Sequence, residues 1–582
     1  MTEGQNGSDV GRRELDRLVE HLRGGSVSRR AFIGRAAAIG VSLPTISSIL
    51  AACGGDDGDD GAGSAGAPAT AGDPSKLSPG KPGGTLREGY DRDFSRMDPI
   101  NTTWYDPGFF ALYEGIITLD PKRKFVPEIA EKWGPSSDGK VWTFKIRKGL
   151  KFHSGAPLDA QAIAGVFNEI INPKAGSPQI AQWAPVEQTV ARDATTLEVH
   201  VKHTFANLPN VVSTGYSRIV NLKLRNKLGA DYGKKEIDGS GPFEFVEWVP
   251  GDHVTVKRWE EYPGAIVPFF VNKRKAYLDE IRWTYVAETA TRALQLQNGE
   301  LDSLKGPAPQ DIERLQADPE LVVTEIGEQA LWYMGLNFER LGFGDLRVRQ
   351  AVAHALDRQA IVDKLVFGHG KPAFGAIPPA SPDYNDAVEK HNGFDLAKAK
   401  ELMTAAGWQP GGDDILSKDG KKFSFQLVTS VDSFEKQLAS VVQEQLRALG
   451  MEVRVRSFDE ATKFEQLGKG VDAFVFKYSW PNTYDVYIVI SDSKAAPFPN
   501  WQRAKLRELD AAHRKYQNAA TPEELNAASH EGQLVGAEQL PFVPIFGPST
   551  AWVTQKYVRN YLPISWNLYP YYTDVWMDNQ QG

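Results

Sequence analysis

A strand, a helix and a second strand follow one another within one short stretch of the chain. The first strand is predicted in Phe423-Ser424-Phe425-Gln426-Leu427-Val428 and the second in Met451-Glu452-Val453-Arg454-Val455, where apolar residues alternate. Residues 437–449 between them predict a helix that Gly450 ends, with an apolar face formed by Leu438, Val441, Val442, Leu446 and Leu449. Strands joined in this order pair in parallel through a right-handed crossover, so the stretch predicts an α/β fold.

Strands and helices of the same kind lie on both sides of this unit. Val141-Trp142-Thr143-Phe144-Lys145-Ile146 and Leu197-Glu198-Val199-His200-Val201 alternate as strands, and residues 473–478 predict a further strand. Asp395 is placed to cap a helix that Gly407 ends. With 582 residues the chain is too long for one hydrophobic core, so at least two lobes are expected.

Composition and charge exclude several classes of protein. Hydrophobic residues make up 41% and charged residues 24% of the chain, which is typical of a soluble globular protein. The formal net charge of -8 argues against a nucleic-acid partner. Cys53 is the single cysteine, so the chain cannot form an internal disulfide.

The first 53 residues predict an export signal. Ser28-Arg29-Arg30-Ala31-Phe32-Ile33 resembles a twin-arginine motif, and an uncharged apolar stretch ends in Leu50-Ala51-Ala52-Cys53, which resembles a bacterial lipobox. A plain membrane span is disfavoured because the run is shorter than the roughly 20 apolar residues that a span needs. Cys53 is therefore the predicted lipidation site, where several acyl chains on one residue would anchor the protein stably.

Residues 54–82 predict a flexible tether. The segment is rich in Gly, Ala, Ser and Asp and cannot bury apolar surface. Its aspartates lack the spacing and the terminal glutamate of an EF-hand calcium loop.

Several segments after the tether resemble, in order, one family of proteins. They are Leu112-Tyr113-Glu114-Gly115-Ile116, Pro127-Glu128-Ile129-Ala130-Glu131-Lys132-Trp133, Arg147-Lys148-Gly149-Leu150-Lys151-Phe152-His153-Ser154-Gly155, Gly239-Ser240-Gly241-Pro242-Phe243, Asp345-Leu346-Arg347-Val348-Arg349-Gln350-Ala351 with Asp357-Arg358, and Pro541-Phe542-Val543-Pro544-Ile545. The ordered set resembles the extracytoplasmic solute-binding proteins of the dipeptide, oligopeptide and nickel type.

This resemblance implies a two-lobed, periplasmic-binding-protein-like α/β fold with an additional subdomain on the N-terminal lobe. The first lobe is expected at residues 83–330 and 541–582, with the subdomain at about 121–235, and the second lobe at residues 331–540. Hinges are expected near residues 328–333 and 538–543. In the family, the ligand is enclosed when the lobes close.

The resemblance also implies a function. We expect a monomeric, lipid-anchored receptor of an ATP-binding-cassette importer, exported to the outer face of the cytoplasmic membrane or the periplasm. It would capture a small organic solute, with a peptide-like ligand favoured, and deliver it to the permease subunits without a cofactor. A surface sensor with the same fold, or a receptor for an opine, a sugar or a chelated metal, remains an alternative.

Aromatic and polar residues in irregular segments are the candidate ligand contacts, because such a mixture suits a ligand with apolar and polar parts. They are Trp104, Tyr105, Trp332, Tyr333, Trp480, Asn482, Asp485 and Trp501, although each aromatic could equally be core. Trp480 resembles the family tryptophan at the same strand end. Peptide-binding members carry an aspartate shortly after it, where this chain has Thr483 and then Asp485, so the partner of a ligand amine is left open.

Enzymatic motifs are not found. The chain lacks a Gly-x-Ser-x-Gly elbow and a His-Glu-x-x-His helix, and Ser433-Phe434-Glu435-Lys436 has no Lys-Thr-Gly companion. His200 and His203 are three residues apart near a predicted strand, so they point to opposite faces and no metal site is predicted. The sequence therefore predicts a binding protein and not an enzyme.

Overall fold

The structure is a computed structural model that describes residues 73–102, 106–479, 483–564 and 569–578. These residues lie in one compact unit, Pro68–Gly582. The predicted export signal with Cys53, and the candidates Trp104, Tyr105, Trp480 and Asn482, fall outside the described ranges. No helix within those ranges combines the length and the apolar composition that a membrane crossing requires.

The first lobe begins with three short strands and one short helix. These are β1 (Thr85–Tyr90), α1 (Phe109–Leu112), β2 (Ile117–Leu119) and β3 (Phe125–Pro127).

A separate four-stranded sheet follows, and helix α2 (Ala160–Ile171) packs against it. This part of the chain contains β4 (Ala130–Pro135), β5 (Val141–Ile146), α2, β6 (Val186–Asp193), β7 (Thr196–Val201), α3 (Leu208–Val212) and α4 (Leu222–Leu228). The strands pair in the order β4-β5-β7-β6, and Asp159 caps α2 by accepting from the backbone N–H of Ala162. This sheet lies within residues 121–235, where the additional subdomain of the first lobe is expected.

The chain then returns to the sheet of β1. The elements are β8 (Phe243–Val249), β9 (His253–Arg258), β10 (Glu280–Tyr285), α5 (Thr289–Gln297), β11 (Ser303–Lys305), α6 (Ile312–Gln316) and β12 (Leu321–Gly327). Strand β1 lies between β10 and β11 and runs parallel to both.

The second lobe is built around another set of parallel strands. Its elements are β13 (Ala330–Leu336), α7 (Leu346–Ala355), α8 (Arg358–Leu365), β14 (Gly370–Pro372), α9 (Leu396–Ala405), β15 (Gln409–Pro410), β16 (Leu416–Lys418), β17 (Lys421–Lys422), β18 (Ser424–Ser430), α10 (Ser433–Ala448), β19 (Glu452–Phe458), α11 (Glu460–Lys469), β20 (Ala473–Ser479), α12 (Thr483–Ser491), α13 (Arg507–Gln517) and α14 (Pro522–Gln539).

The predicted strand–helix–strand unit is confirmed. Strand β18 pairs in parallel with both β19 and β20, and α10 connects β18 to β19. The helix begins at Ser433, one turn before the predicted start, because Asp432 caps it by accepting from the N–H of Glu435.

One long strand joins the two lobes. Strand β21 (Val543–Gln555) is followed by β22 (Val558–Arg559) and β23 (Trp576–Met577). Its first half, up to Pro548, pairs with β13 and β14, and its second half, from Ser549, pairs with β11 and β12. The pairing partners of β21 therefore change between Pro548 and Ser549.

Apolar side chains form separate cores in the two lobes. Among the described residues, the first lobe has one large core and one small core around Leu296, Leu304 and Val553, and two others lie in the second lobe. At the start of the first core, Gly239 and Gly241 lie so close to the carbonyls of Leu112 and Ala111 that a Cβ atom would overlap them. The absence of a Cβ at Gly239 and Gly241 therefore lets this segment pack tightly against residues 111–112.

Candidate functional site

The carboxyl ends of the parallel strands in both lobes face the crossing strands. Lys305, the last residue of β11, pairs with Trp552 of β21 near the point where β21 enters the first lobe. Ser479, the last residue of β20, pairs with Ala330, the first residue of β13 after the crossing. Ligands of α/β sheets bind at the carboxyl ends of the strands, so the two lobes place their ligand-binding edges against one cleft.

An ion pair lies at the crossing itself. Glu328, between β12 and β13, accepts from Lys477 of β20 at 3.4 Å and from the hydroxyl of Thr550 on β21. The backbone N–H of Glu328 also donates to Pro548 at 2.9 Å. Glu328 therefore connects both crossing segments to the second-lobe sheet.

Lys305 is the first-lobe cation beside this ion pair. Its Nζ lies 4.6 Å from the ring centre of Tyr569 and 5.3 Å from that of Trp552. Burial lowers the pKa of Lys305 to about 8, while the carboxylates of Glu328 and Asp91 act in the opposite direction. The ammonium remains mostly charged at neutral pH, and the two rings give it an apolar and π-rich surface.

A buried glutamine connects the first crossing to both lobes. Gln329 accepts from the Arg123 guanidinium at 3.2 Å and from the Ser381 hydroxyl at 2.7 Å. Its amide nitrogen donates to the carbonyl of Ala380 at 3.1 Å. Arg123 belongs to the β2–β3 turn of the first lobe. The Gln329 side chain therefore connects the crossing to that turn and to the loop at Ala380 and Ser381.

The lobes also meet through the subdomain. Asn207, just before α3, donates its amide to both carboxylate oxygens of Asp485 on α12, each at 3.1 Å. The backbone N–H of Ala206 donates to the carbonyl of Ala519 at 3.2 Å. A cavity of about 260 Å³ adjoins this contact, with walls from the subdomain, including His203 and Phe205, and from the second lobe, including Ile488 and Tyr516.

The structure separates the predicted contact residues into different environments. Asp485 lies at the contact between the lobes. Trp332 is buried in the second lobe, but its ring centre lies 6.0 Å from Nζ of Lys477, so it borders the crossing ion pair.

Tyr333 and Trp501 are core residues of the second lobe. Tyr333 is fully buried among Phe474, Tyr478 and Phe542. Trp501 packs on Phe474 and Phe476, and its loop is held at the end of the sheet away from the crossing, where Phe338 donates to the carbonyl of Gln502. Apolar neighbours inside the lobe cover both rings, and the expectation that they line the cleft stays a prediction.

Sequence reasoning missed the residues at the crossing and at the contact between the lobes. Lys305, Glu328, Lys477 and Asn207 lie in unremarkable local sequence, and only the pairing of distant strands and loops brings them to the cleft. A useful signal was the predicted crossing at residues 328–333, since charged residues beside a crossing are placed between two lobes. Within the described ranges, no group of three His, Cys, Asp or Glu side chains is arranged to hold a metal ion.

Comparisons with known proteins agree with this architecture. The profile of "Bacterial extracellular solute-binding proteins, family 5 Middle" matches residues 124–495. The oligopeptide-binding protein AppA of Bacillus subtilis is 27% identical over 390 residues, which cover 65% of this chain and 70% of AppA. The glutathione-binding protein GsiB of Salmonella typhimurium is 28% identical over 385 residues, with the same shares covered.

Solved structures resemble the fold over most of the chain. AppA from Bacillus subtilis, in complex with a nonapeptide, superposes with a TM-score of 0.73 at 23% identity and covers 86% of this chain and 99% of its own. NikA from Brucella suis, in complex with Fe(III)-EDTA, gives a TM-score of 0.74 at 20% identity and covers 85% of this chain and 100% of its own. The two-lobed α/β fold is therefore confirmed.

Proposed function

Because the chain belongs to family 5 of the bacterial extracellular solute-binding proteins, the receptors of ATP-binding-cassette importers, we propose that it captures a peptide-like solute in its cleft. The observation that carries the solute class is the presence of both charge signs where the strand ends of the two lobes meet. Lys305 and Lys477 supply cations, and Glu328 supplies a carboxylate.

A peptide matches this arrangement. Its ammonium and carboxylate need partners of opposite sign, since burying either charge unpaired is costly. Its amide groups suit side-chain donors, and its side chains suit aromatic surfaces such as Trp552 and Tyr569. Relatives named for oligopeptide and glutathione binding support this class, while a neighbour solved with Fe(III)-EDTA keeps metal complexes among the test compounds.

Closure of the lobes would enclose the solute. The first crossing passes through Gly327–Ala330 and the second through residues 548–549 of β21, so bending at these two places would change the width of the cleft. The solute would favour the closed form in proportion to its differential affinity for that form.

Export and delivery complete the proposal. The twin-arginine motif at Arg29-Arg30 and the lipobox ending at Cys53 support export and lipid anchoring at the outer face of the cytoplasmic membrane. A receptor held there would hand the solute to the permease subunits of its importer.

Calorimetric titration tests the solute class. The purified protein should bind at least one member of a panel of dipeptides, tripeptides, longer peptides and glutathione with micromolar or better affinity. The same titrations are made with compounds of the alternative classes, which are the opine agropinic acid, simple sugars and a Ni–histidine complex. If one of these competing compounds binds saturably and no peptide binds, the peptide-like assignment is overturned. Family membership does not depend on this result.

A further inference from the structure

Asn207 is oriented for its contact with the other lobe. Its side-chain oxygen accepts from Asn210 at 2.7 Å and from the Tyr516 hydroxyl at 3.4 Å. Those bonds turn its amide nitrogen toward Asp485, where it lies 3.1 Å from each carboxylate oxygen. Asn207 and Asn210 belong to the subdomain and Asp485 and Tyr516 to the second lobe, so the set spans the cleft.

The contact exists only when the lobes are together. Asn207 is 4% exposed, and its burial depends on residues of the second lobe. The adjoining cavity has walls from both lobes and would open to solvent if the lobes separated. Asp485 is partly buried at this contact, and separation would expose it further.

We propose that Asn207 and Asp485 form a latch that holds the lobes together, and that closing the latch takes up a proton at Asp485. The inference rests on the lobe closure of the proposed function. It assigns Asp485 to closure, whereas the sequence suggested it as a partner for a ligand amine.

The electrostatics of the closed form support proton uptake. Burial raises the pKa of Asp485 to about 7, the nearby carboxylate of Asp383 raises it further, and the bonds from Asn207 and Tyr516 lower it. His203 lines the same cavity and would oppose the effect when protonated. Tyr516, which is also titratable, lines this cavity as well, and its hydroxyl bonds to the Asp485 carboxylate.

The direction of the pH effect follows from linkage. In the open form Asp485 faces water, with a pKa near its ordinary value of 3.8. A carboxyl whose pKa is raised by closing favours the closed form at low pH, and that advantage is lost as the pH rises through about 7. Allowing for residual solvent access, the closing constant should fall by roughly tenfold between pH 5.5 and pH 8.0.

Distances between spin labels test the latch without any ligand. Labels on Lys174→Cys in the subdomain and Glu523→Cys in the second lobe, both exposed, report the separation of the lobes in a Cys53→Ser chain. The closed population should decrease from pH 5.5 to pH 8.0. Asp485→Asn should remove this pH dependence, and Asn207→Ala should reduce the closed population at both pH values, with thermal melting confirming that both variants fold.

Two control variants separate the possible outcomes. His203→Gln and Asp383→Asn should each keep a pH dependence, shifted in midpoint, because Asp485 still titrates. A pH dependence of wild-type size in Asp485→Asn, or unchanged distances in Asn207→Ala, would overturn the latch. The peptide titrations are independent of these distances, so a failure of the solute assignment and a failure of the latch can be told apart.

Discussion

Lys463 and Glu435 form an ion pair inside the second lobe, where only 1% and 7% of the two side chains are exposed. Lys463 lies on α11 and Glu435 in the first turn of α10. The Glu435 carboxylate also accepts from Thr429 at 3.1 Å and from the N–H and hydroxyl of Ser430 at 2.9 and 2.8 Å. The pair therefore fixes the two helices to the carboxyl end of β18.

Removing one partner should destabilise the protein strongly. Lys463→Met leaves the Glu435 carboxylate buried without its cation, which we expect to cost about 3–5 kcal/mol of unfolding free energy. Lys469→Met, which breaks the exposed pair with Glu465 on the same helix, is the matched control and should change stability little. Denaturant melts measure both, and equal midpoints for the two variants would contradict the assignment.

Arg349 offers a second comparison of buried and exposed charge. It donates to the carbonyls of Leu540, Phe343, Gly344 and Gln539, and burial lowers its pKa to about 10, so it stays charged. Arg349→Lys cannot reproduce this fork of donors and should cost about 3 kcal/mol. Arg347→Lys, two residues earlier and exposed, should be nearly neutral in the same melt, and a smaller loss for Arg349→Lys than for the control would refute this account.

Gly532 on α14 makes room for the hydroxyl of Tyr484. An added Cβ would overlap that oxygen, which is buried and has no hydrogen-bond partner among the residues that the structure describes. Gly532→Ala should therefore cost about 1–3 kcal/mol. Tyr484→Phe removes the obstructing oxygen and should recover most of the loss in the double variant. If the stability changes of the two single variants simply add in the double variant, as measured by denaturant melts, then the overlap does not cause the destabilisation by Gly532→Ala.

Cys53→Ser tests the predicted anchor. The Leu50-Ala51-Ala52-Cys53 motif requires the thiol for acylation, so the variant should leave the membrane fraction or accumulate unprocessed. Fractionation followed by mass spectrometry of the N-terminus measures both. Replacement of both Arg29 and Arg30 by Lys is the companion test for export. Membrane retention with normal processing of Cys53→Ser would reject the lipoprotein prediction.

The α/β character of the chain was predictable because it is set by local patterns. Residues 423–455 carry alternating and helical periodicities that agree with β18, α10 and β19, and Asp395 caps α9 as expected. The residue at which β21 passes from one lobe to the other was not predictable, because the strand is buried along almost its whole length and runs through both sheets without a break. Only the pairing partners of Pro548 and Ser549 reveal where the lobe changes.

The site was less predictable because it depends on contacts between distant segments. Asn207 and Asp485 are 278 residues apart, and neither lies in a motif that predicts the other. Aromatic residues in loops were candidates by type alone, yet Trp501 belongs to the core. Burial of a ring depends on the packing of the sheet beneath it, which local sequence does not specify.

Trp480 and Trp501 provide the last test, since the two tryptophans should fail in different ways. Trp480 directly follows Ser479, the end of β20, which faces the crossing strands, so we predict that its indole contacts the solute. Trp480→Ala should weaken solute binding by a few kcal/mol, as aromatic hot spots do, with little loss of stability in the free protein. Trp501→Ala removes a buried ring packed on Phe474 and Phe476 and should cost about 3–5 kcal/mol of folding stability. Calorimetry with the tightest peptide of the panel and denaturant melts measure both quantities for each variant. Normal affinity with a large stability loss in Trp480→Ala would place Trp480 in the core and remove it from the site.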